Sequence, residues 1–126
     1  MAVSTQIIQD NDRYAVLKFT NDGTTDESVA AVVKVDASTL VGAPTNVKIR
    51  KITADVMNTA QTVFIYYEGT TADALAWVAN SHTDVKDFSE VGPLPNNATG
   101  RTGDISFQTT ANGTIYTIML EVVKGS

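Results

Sequence analysis

Apolar residues recur at every second position in short runs along this chain, and Gly, Asn, Asp and Pro break the runs apart. Alternation of that kind puts successive side chains on opposite faces of an extended strand, so it predicts half-buried β-structure. The last run shows it most clearly. Tyr116, Ile118, Leu120 and Val122 fall on one parity, while Thr117 and Glu121 fall on the other. The runs predict strands over Tyr14–Thr20, Val29–Val35, Val47–Met57, Thr62–Glu68, Ala74–Ala79, Asp104–Thr109 and Thr114–Lys124. Two weaker runs, Thr5–Gln9 and Asp87–Val91, bring the expected number to between seven and nine. No amphipathic helix of about ten residues separates them, so the expected class is all-β. The expected architecture is an antiparallel β-sandwich, jelly-roll-like, rather than a parallel α/β sheet. Residues 1–12 are expected as an N-terminal arm and residues 13–126 as a single β-sandwich domain.

Local signals refine this picture. Asn112-Gly113 lies between two alternating runs, and both residues accept the positive φ of a type I′ turn, so a C-terminal hairpin is predicted there. In Val47–Met57, Val47 and Ile49 share one parity, whereas Ile52, Ala54 and Val56 share the other. That switch at Arg50–Lys51 predicts a β-bulge or a strand crossing between sheets. Tyr66 and Tyr67 are adjacent, so one of them must face away from the core; Phe64 and Trp77 read as core. Gly92–Gly103, "GPLPNNATGRTG", holds two of the three prolines and three of the eight glycines. It is the longest irregular segment and the expected seat of any loop-borne function. Its "GRTG" has no G-K-[ST] and no following helix, so it reads as a strand entry and not as a phosphate cradle.

Composition narrows the chemistry. A chain of 126 residues makes one domain able to bury a core without staples. It has no cysteine, which removes disulfides, thiolate catalysis and thiolate-bound zinc. The net charge is −5 and the pI about 4.6, with nine scattered basic residues, so no nucleic acid is expected as partner. The tightest basic group, Lys48, Arg50 and Lys51, reads as a solvated strand face. No apolar run approaches the roughly 18 residues of a membrane span. The start "MAVSTQIIQD" has neither the basic nor the apolar region of a secretory signal, so the chain is expected to fold where it is made.

Candidate catalytic groups are few. His82 is the single histidine, in the polar stretch "NSHTD", and no G-x-S-x-G elbow accompanies it. The acid groups Asp10/Asp12, Asp26/Glu27 and Asp84/Asp87/Glu90 read as solvated loop acids, where nothing supplies the desolvation a catalytic carboxylic acid needs. "DND" and "NDGTTDE" offer oxygen ligands for a hard cation but lack the calcium-loop spacing. No enzyme activity, cofactor or metal is therefore expected.

Four stretches carry a further likeness: "MAVSTQIIQDNDRYAVLKFTND", "VVKVDASTL", "VKIRKI" and "NNATGRTGDISFQTTANGTIYTIMLEVVKG". With them the chain resembles a small β-structured virion protein of tailed bacteriophages, and by analogy the capsid decoration (cement) proteins. The resemblance implies binding to the outer capsid lattice, with the phage major capsid protein as partner. It also implies a homo-oligomer, with a trimer favoured, made in the host cytoplasm and residing on the capsid surface of the virion. It carries no catalytic residues. A tail or fibre component and a carbohydrate-binding β-sandwich module remain alternatives. The expected partner interface comprises Ile7 and Ile8, able to pair as an added strand with a neighbour, together with Tyr66, Asn97 and Arg101. A repeating lattice would multiply weak contacts into lasting attachment.

Overall fold

In a computed structural model the described residues are 3–22, 27–28, 31–44, 46–56, 62–79, 84–88, 92–94, 96–110 and 114–125. They form nine strands: β1 (Val3–Asp10), β2 (Tyr14–Asp22), β3 (Val32–Val35), β4 (Asn46–Val56), β5 (Val63–Ala72), β6 (Ala74–Ala79), β7 (Asp84–Asp87), β8 (Thr99–Thr109) and β9 (Ile115–Gly125). A single 3₁₀ turn, Ala37–Thr39, starts at Asp36, whose carboxylate accepts from the Ser38 N–H at 3.1 Å. The strands build two antiparallel sheets, β1-β2-β9-β4-β7 and β3-β8-β5-β6. The protein is an all-β antiparallel sandwich. Its pairing is nested: β2 with β9, β3 with β8, β4 with β7, and β5 with β6. The chain thus behaves as one long hairpin folded into two layers.

The alternation dictates which face goes inside. Leu17, Phe19, Ile52, Ala54, Ile118 and Leu120 from the larger sheet are buried, as are Val63, Ile65, Ile105 and Phe107 from the smaller one. Phe107 joins the layers edge-on, 5.1 Å from Phe19 and 5.9 Å from Tyr116 between ring centroids.

The predicted C-terminal hairpin does not form. Residues Asn112 and Gly113 lie outside the described residues, but the strands on either side belong to different sheets. β8 pairs with β3 and β5, whereas β9 pairs with β2 and β4. The reason is burial. Both strands carry an apolar stripe, and placing them in facing sheets lets Phe107 of β8 pack against Tyr116 of β9 across the layer. One further expectation shifts: the segment read as loop to Gly103 is already strand from Thr99. Of the weak run at Asp87–Val91, Asp87 ends β7, Phe88 follows it outside the strand, and residues 89–91 lie outside the described residues. Gly100 and Gly103 sit inside β8 with φ of 72° and 84°. A Cβ at Gly103 would lie 2.2 Å from the Pro44 carbonyl oxygen, so the glycine there is a matter of room as well as of φ.

Residues 3–10 of the expected arm form β1, which contains the weak run Thr5–Gln9. β1 pairs with β2 from Val3↔Asn21 to Asp10↔Ala15, with a register break at Ile8. From Thr5 to Gln9 both parities of this edge strand are exposed, so the facing sheet covers neither of its sides there. Ile7 and Ile8 are consequently half exposed. The "DND" turn that follows is closed by Asn11, whose side-chain oxygen accepts from the Arg13 and Tyr14 N–H groups at 3.0 and 2.9 Å. Asp10 is spoken for as well: it pairs with the buried Lys124 ammonium and accepts from the Val41 N–H at 2.9 Å. Lys124 in turn donates to the carbonyls of Asn11 and Val41.

The parity switch in β4 is a bulge, as the alternation predicts: the register with β9 breaks between Ile49 and Lys51. A bulge frees backbone groups, and each finds a partner here. The Tyr67 hydroxyl accepts from the Ile49 N–H at 2.8 Å and donates to the Leu94 carbonyl at 2.8 Å. Leu94 N–H and Phe88 N–H donate to the carbonyls of Ile49 and Arg50. Burial pushes the Tyr67 phenol up to about 12, so the hydroxyl keeps its proton.

Two predictions follow from these contacts. Tyr67→Phe keeps the ring but orphans one buried N–H and one buried carbonyl, and is expected to lower the unfolding free energy by about 1–3 kcal/mol in chemical denaturation. Burial acts to raise the Asp10 carboxyl, but the Lys124 hydrogen bond, the Val41 N–H and the Lys124 charge outweigh it and hold the group below its ordinary 3.8. Its stabilisation is thus present above that value and lost as pH falls through the lowered one. Asp10→Asn should cost about 1.5 kcal/mol at pH 7, and the gap to wild type should close as thermal melts are repeated below about pH 4.

Candidate functional site

The outer faces of the two sheets differ in chemistry. On the five-stranded sheet the outward positions include Lys18, Lys48, Arg50, Lys51, Thr53, Asp55, Thr117 and Glu121. Arg50 pairs with Glu121 at 2.8 Å and lies 4.7 Å from the Tyr14 ring centroid. The basic group "VKIRK" is thus a half-exposed strand face on which Arg50 is ion-paired. A shallow depression of about 130 Å³ opens here, lined by Val16, Lys51, Thr53, Met119 and Glu121.

The outer face of the four-stranded sheet carries fewer charges, although Val16 and Met119 put some apolar surface on the larger sheet too. The outward residues of the four-stranded sheet form rows that cross the strands in register. Leu75, Tyr66, Ser106 and Val33 make one row across all four strands, and Val78, Phe64 and Gln108 make the next. Leu75 is 54% exposed, Val33 48% and Val78 38%, so this apolar surface is open to solvent at both ends of the first row and at Val78. The Phe64 and Tyr66 rings lean on one another with centroids 6.5 Å apart. Ser106 is fully buried between Tyr66 and Val33, although it points outward. Contiguous exposed apolar surface of this kind marks an interaction site far more often than isolated exposed residues do.

Acids border the rows at one end. Glu68 and Asp104 continue the outward parity of β5 and β8, and Asp73 lies beside Glu68. Burial, with the Asp73 and Asp104 carboxylates close by, pushes the Glu68 carboxyl above its ordinary value. Asp73 also accepts from the Gly69 N–H, and Asp104 from the Ala37 N–H.

The expected interface residues are spread over three places. Tyr66 is in the centre of the apolar rows, while its neighbour Tyr67 is in the core. Arg101 is exposed on β8, five positions from Ser106, and reaches the Asn96 carbonyl at 3.4 Å; Asn97 is exposed beside it. Ile7 and Ile8 lie on β1, in the other sheet. Phe64, expected in the core, faces outward. Trp77 does pack on the core, 5.6 Å from Phe88 between centroids. Leu75 and Val78 have opposite parity and share a face only because the register breaks opposite Ala76. The apolar character of both parities in "ALAWVA" is the one sequence signal that pointed to them.

The acids fall differently from expectation too. Glu27, read as a loop acid, is 2% exposed. Its Oε1 accepts from the Tyr116 hydroxyl at 2.6 Å and from Asn21 Nδ2 at 2.9 Å, and its Oε2 pairs with the Lys34 ammonium. Burial and the adjoining Glu27 carboxylate raise the Tyr116 phenol far above its ordinary range. Asp26, His82 and Glu90 lie outside the described residues. Among the described residues, no three His, Cys, Asp or Glu side chains converge as a metal site, and no helix is long and apolar enough to cross a membrane. Comparison with protein-family models finds no match, and comparison with curated proteins finds none.

If the rows are free surface and not part of the fold, a charge placed there should leave stability intact. Leu75→Glu is expected to shift the unfolding free energy by no more than about 0.5 kcal/mol. It should also visibly reduce the fluorescence of a dye that binds exposed apolar patches.

Proposed function

We propose that the protein is a structural virion protein of a tailed phage, a decoration or cement protein that binds the outer capsid lattice. The carrying observation is the pair of apolar rows on the outer face of the four-stranded sheet, Leu75–Tyr66–Ser106–Val33 and Val78–Phe64–Gln108. A rigid sheet presenting flat apolar surface with an acidic border suits a protein partner that repeats in a lattice. The resemblance of the four sequence stretches to small phage virion proteins points the same way. In this reading the nested strand pairing is jelly-roll wiring, the partner is the major capsid protein, and the place of residence is the capsid surface.

The homo-oligomer, a trimer in this reading, would form at the other exposed feature. Among the described residues β1 pairs with β2 alone, so its far edge offers backbone groups to a neighbouring copy, with Ile7 and Ile8 beside them.

Sedimentation of the purified protein with undecorated shells of its source phage tests the reading. Saturable binding at a copy number matching lattice positions is expected, with Leu75→Glu weakening it at least tenfold. Removal of residues 2–9 is expected to leave a folded monomer. Recovery of the protein in tails, with none on shells, would replace the capsid assignment by a tail one; absence from the virion would end both.

A further inference from the structure

Asn21, Glu27 and Lys34 meet inside the protein on the flank where the chain passes from β2 of one sheet to β3 of the other. Asn21 is 2% exposed, and the side chains of Lys34 and Glu27 are 3% and 1% exposed. The Glu27 carboxylate bridges the other two, taking a hydrogen bond from Asn21 Nδ2 at 2.9 Å on one oxygen and the Lys34 ammonium on the other. The Tyr116 hydroxyl, 2.6 Å from Oε1, holds the carboxylate in that orientation. An amine, a carboxamide and a carboxylate that touches both are the three groups an amide exchange needs: nucleophile, acyl donor and proton carrier.

We propose that Lys34 and Asn21 form an intramolecular isopeptide bond, with Glu27 relaying the protons. Glu27 takes one proton from the Lys34 ammonium, and the freed Nζ lone pair attacks Cγ of Asn21. As the tetrahedral intermediate collapses, the Nζ–Cγ bond stays and the Cγ–Nδ2 bond breaks. Glu27 passes a proton from Nζ to the departing Nδ2, and ammonia leaves, carrying the first proton away as ammonium. One ammonium-bearing side chain and one carboxamide thus become one secondary amide and one ammonium ion, and no oxidant or other reagent is required. Burial favours the step in two ways. Both reacting groups are held on the two oxygens of one carboxylate within one chain, so the reaction is unimolecular. Water, the competing nucleophile, is kept out of the site.

Tyr116 is a positioning residue in this scheme. The product would be a covalent tie between β2 of the larger sheet and β3 of the smaller one, in a chain with no cysteine to make any other. This inference stands independently of the virion reading.

The intact mass of the folded, full-length protein tests it. A mass lower than that of the sequence by one ammonia is expected. Trypsin should then fail to cut after Lys34, giving a single peptide of residues 19–48 that lacks one ammonia and yields no fragment ions between residues 21 and 34. A succinimide at Asn112-Gly113 would lose the same ammonia but leave Lys34 cleavable, and that pattern would overturn the proposal. So would the full sequence mass with ordinary cleavage after Lys34. Glu27→Gln, verified as folded by circular dichroism, is expected to retain the full mass; bond formation at the wild-type rate in this variant would remove Glu27 from the mechanism. In Tyr116→Phe, mass spectra taken through a refolding time course should show the bond appearing several-fold more slowly, which a purely structural tyrosine would not produce.

Discussion

The sandwich depends on a layer of apolar side chains about 10 Å thick, shared by its two sheets. Phe107 is central to that layer, edge-on to Phe19 and to Tyr116 of the opposite sheet. Because the inward stripes of β8 and β9 are buried against each other, the chain must arch between sheets at the point where its strongest turn signal stands. The same requirement orders the other strands. β2, β3, β4 and β5 alternate between the sheets, so each apolar stripe lies opposite one from the facing layer.

Polar groups caught by this arrangement are satisfied in two places. The β4 bulge frees backbone groups of Ile49 and Arg50, and the Tyr67 hydroxyl, Leu94 and Phe88 take them up. Tyr67 reaches from the smaller sheet to the larger, so one hydroxyl serves both the bulge and the contact between layers. On the β2–β3 flank, Glu27, Lys34, Asn21 and Tyr116 form a buried ionic cluster. Such a cluster is weak evidence for stability, since apolar residues of similar volume often do as well. The place of Glu27 between an amine and a carboxamide is what the proposed amide exchange rests on.

The outer surface of the smaller sheet is the other place where the ordinary rule is broken. A sheet face turned to solvent normally alternates to polar residues, as the larger sheet does with its lysines, Arg50 and Glu121. β5 and β6 are apolar on both parities instead, and registration across four strands gathers their outward residues into continuous rows. Surface of that kind fits a protein whose work is to adhere, and the bordering acids of Glu68, Asp73 and Asp104 would discriminate among partners by charge.

How much was legible in the chain alone depends on the range of the interaction. Strand identity followed from local alternation, so the all-β class, the inward face of β9 and the bulge at Arg50–Lys51 could be read directly from residue parity. The two-sided apolar character of "FIYY" also showed that one tyrosine must face outward. Only the tertiary structure decided which one. It also decided that β8 and β9 part company, that Leu75 and Val78 share a face across a register break, and that Glu27 is an interior residue. Each of these outcomes rests on pairing between segments distant in sequence, where burial of whole faces outweighs the preference of a two-residue turn or the polarity of a single side chain.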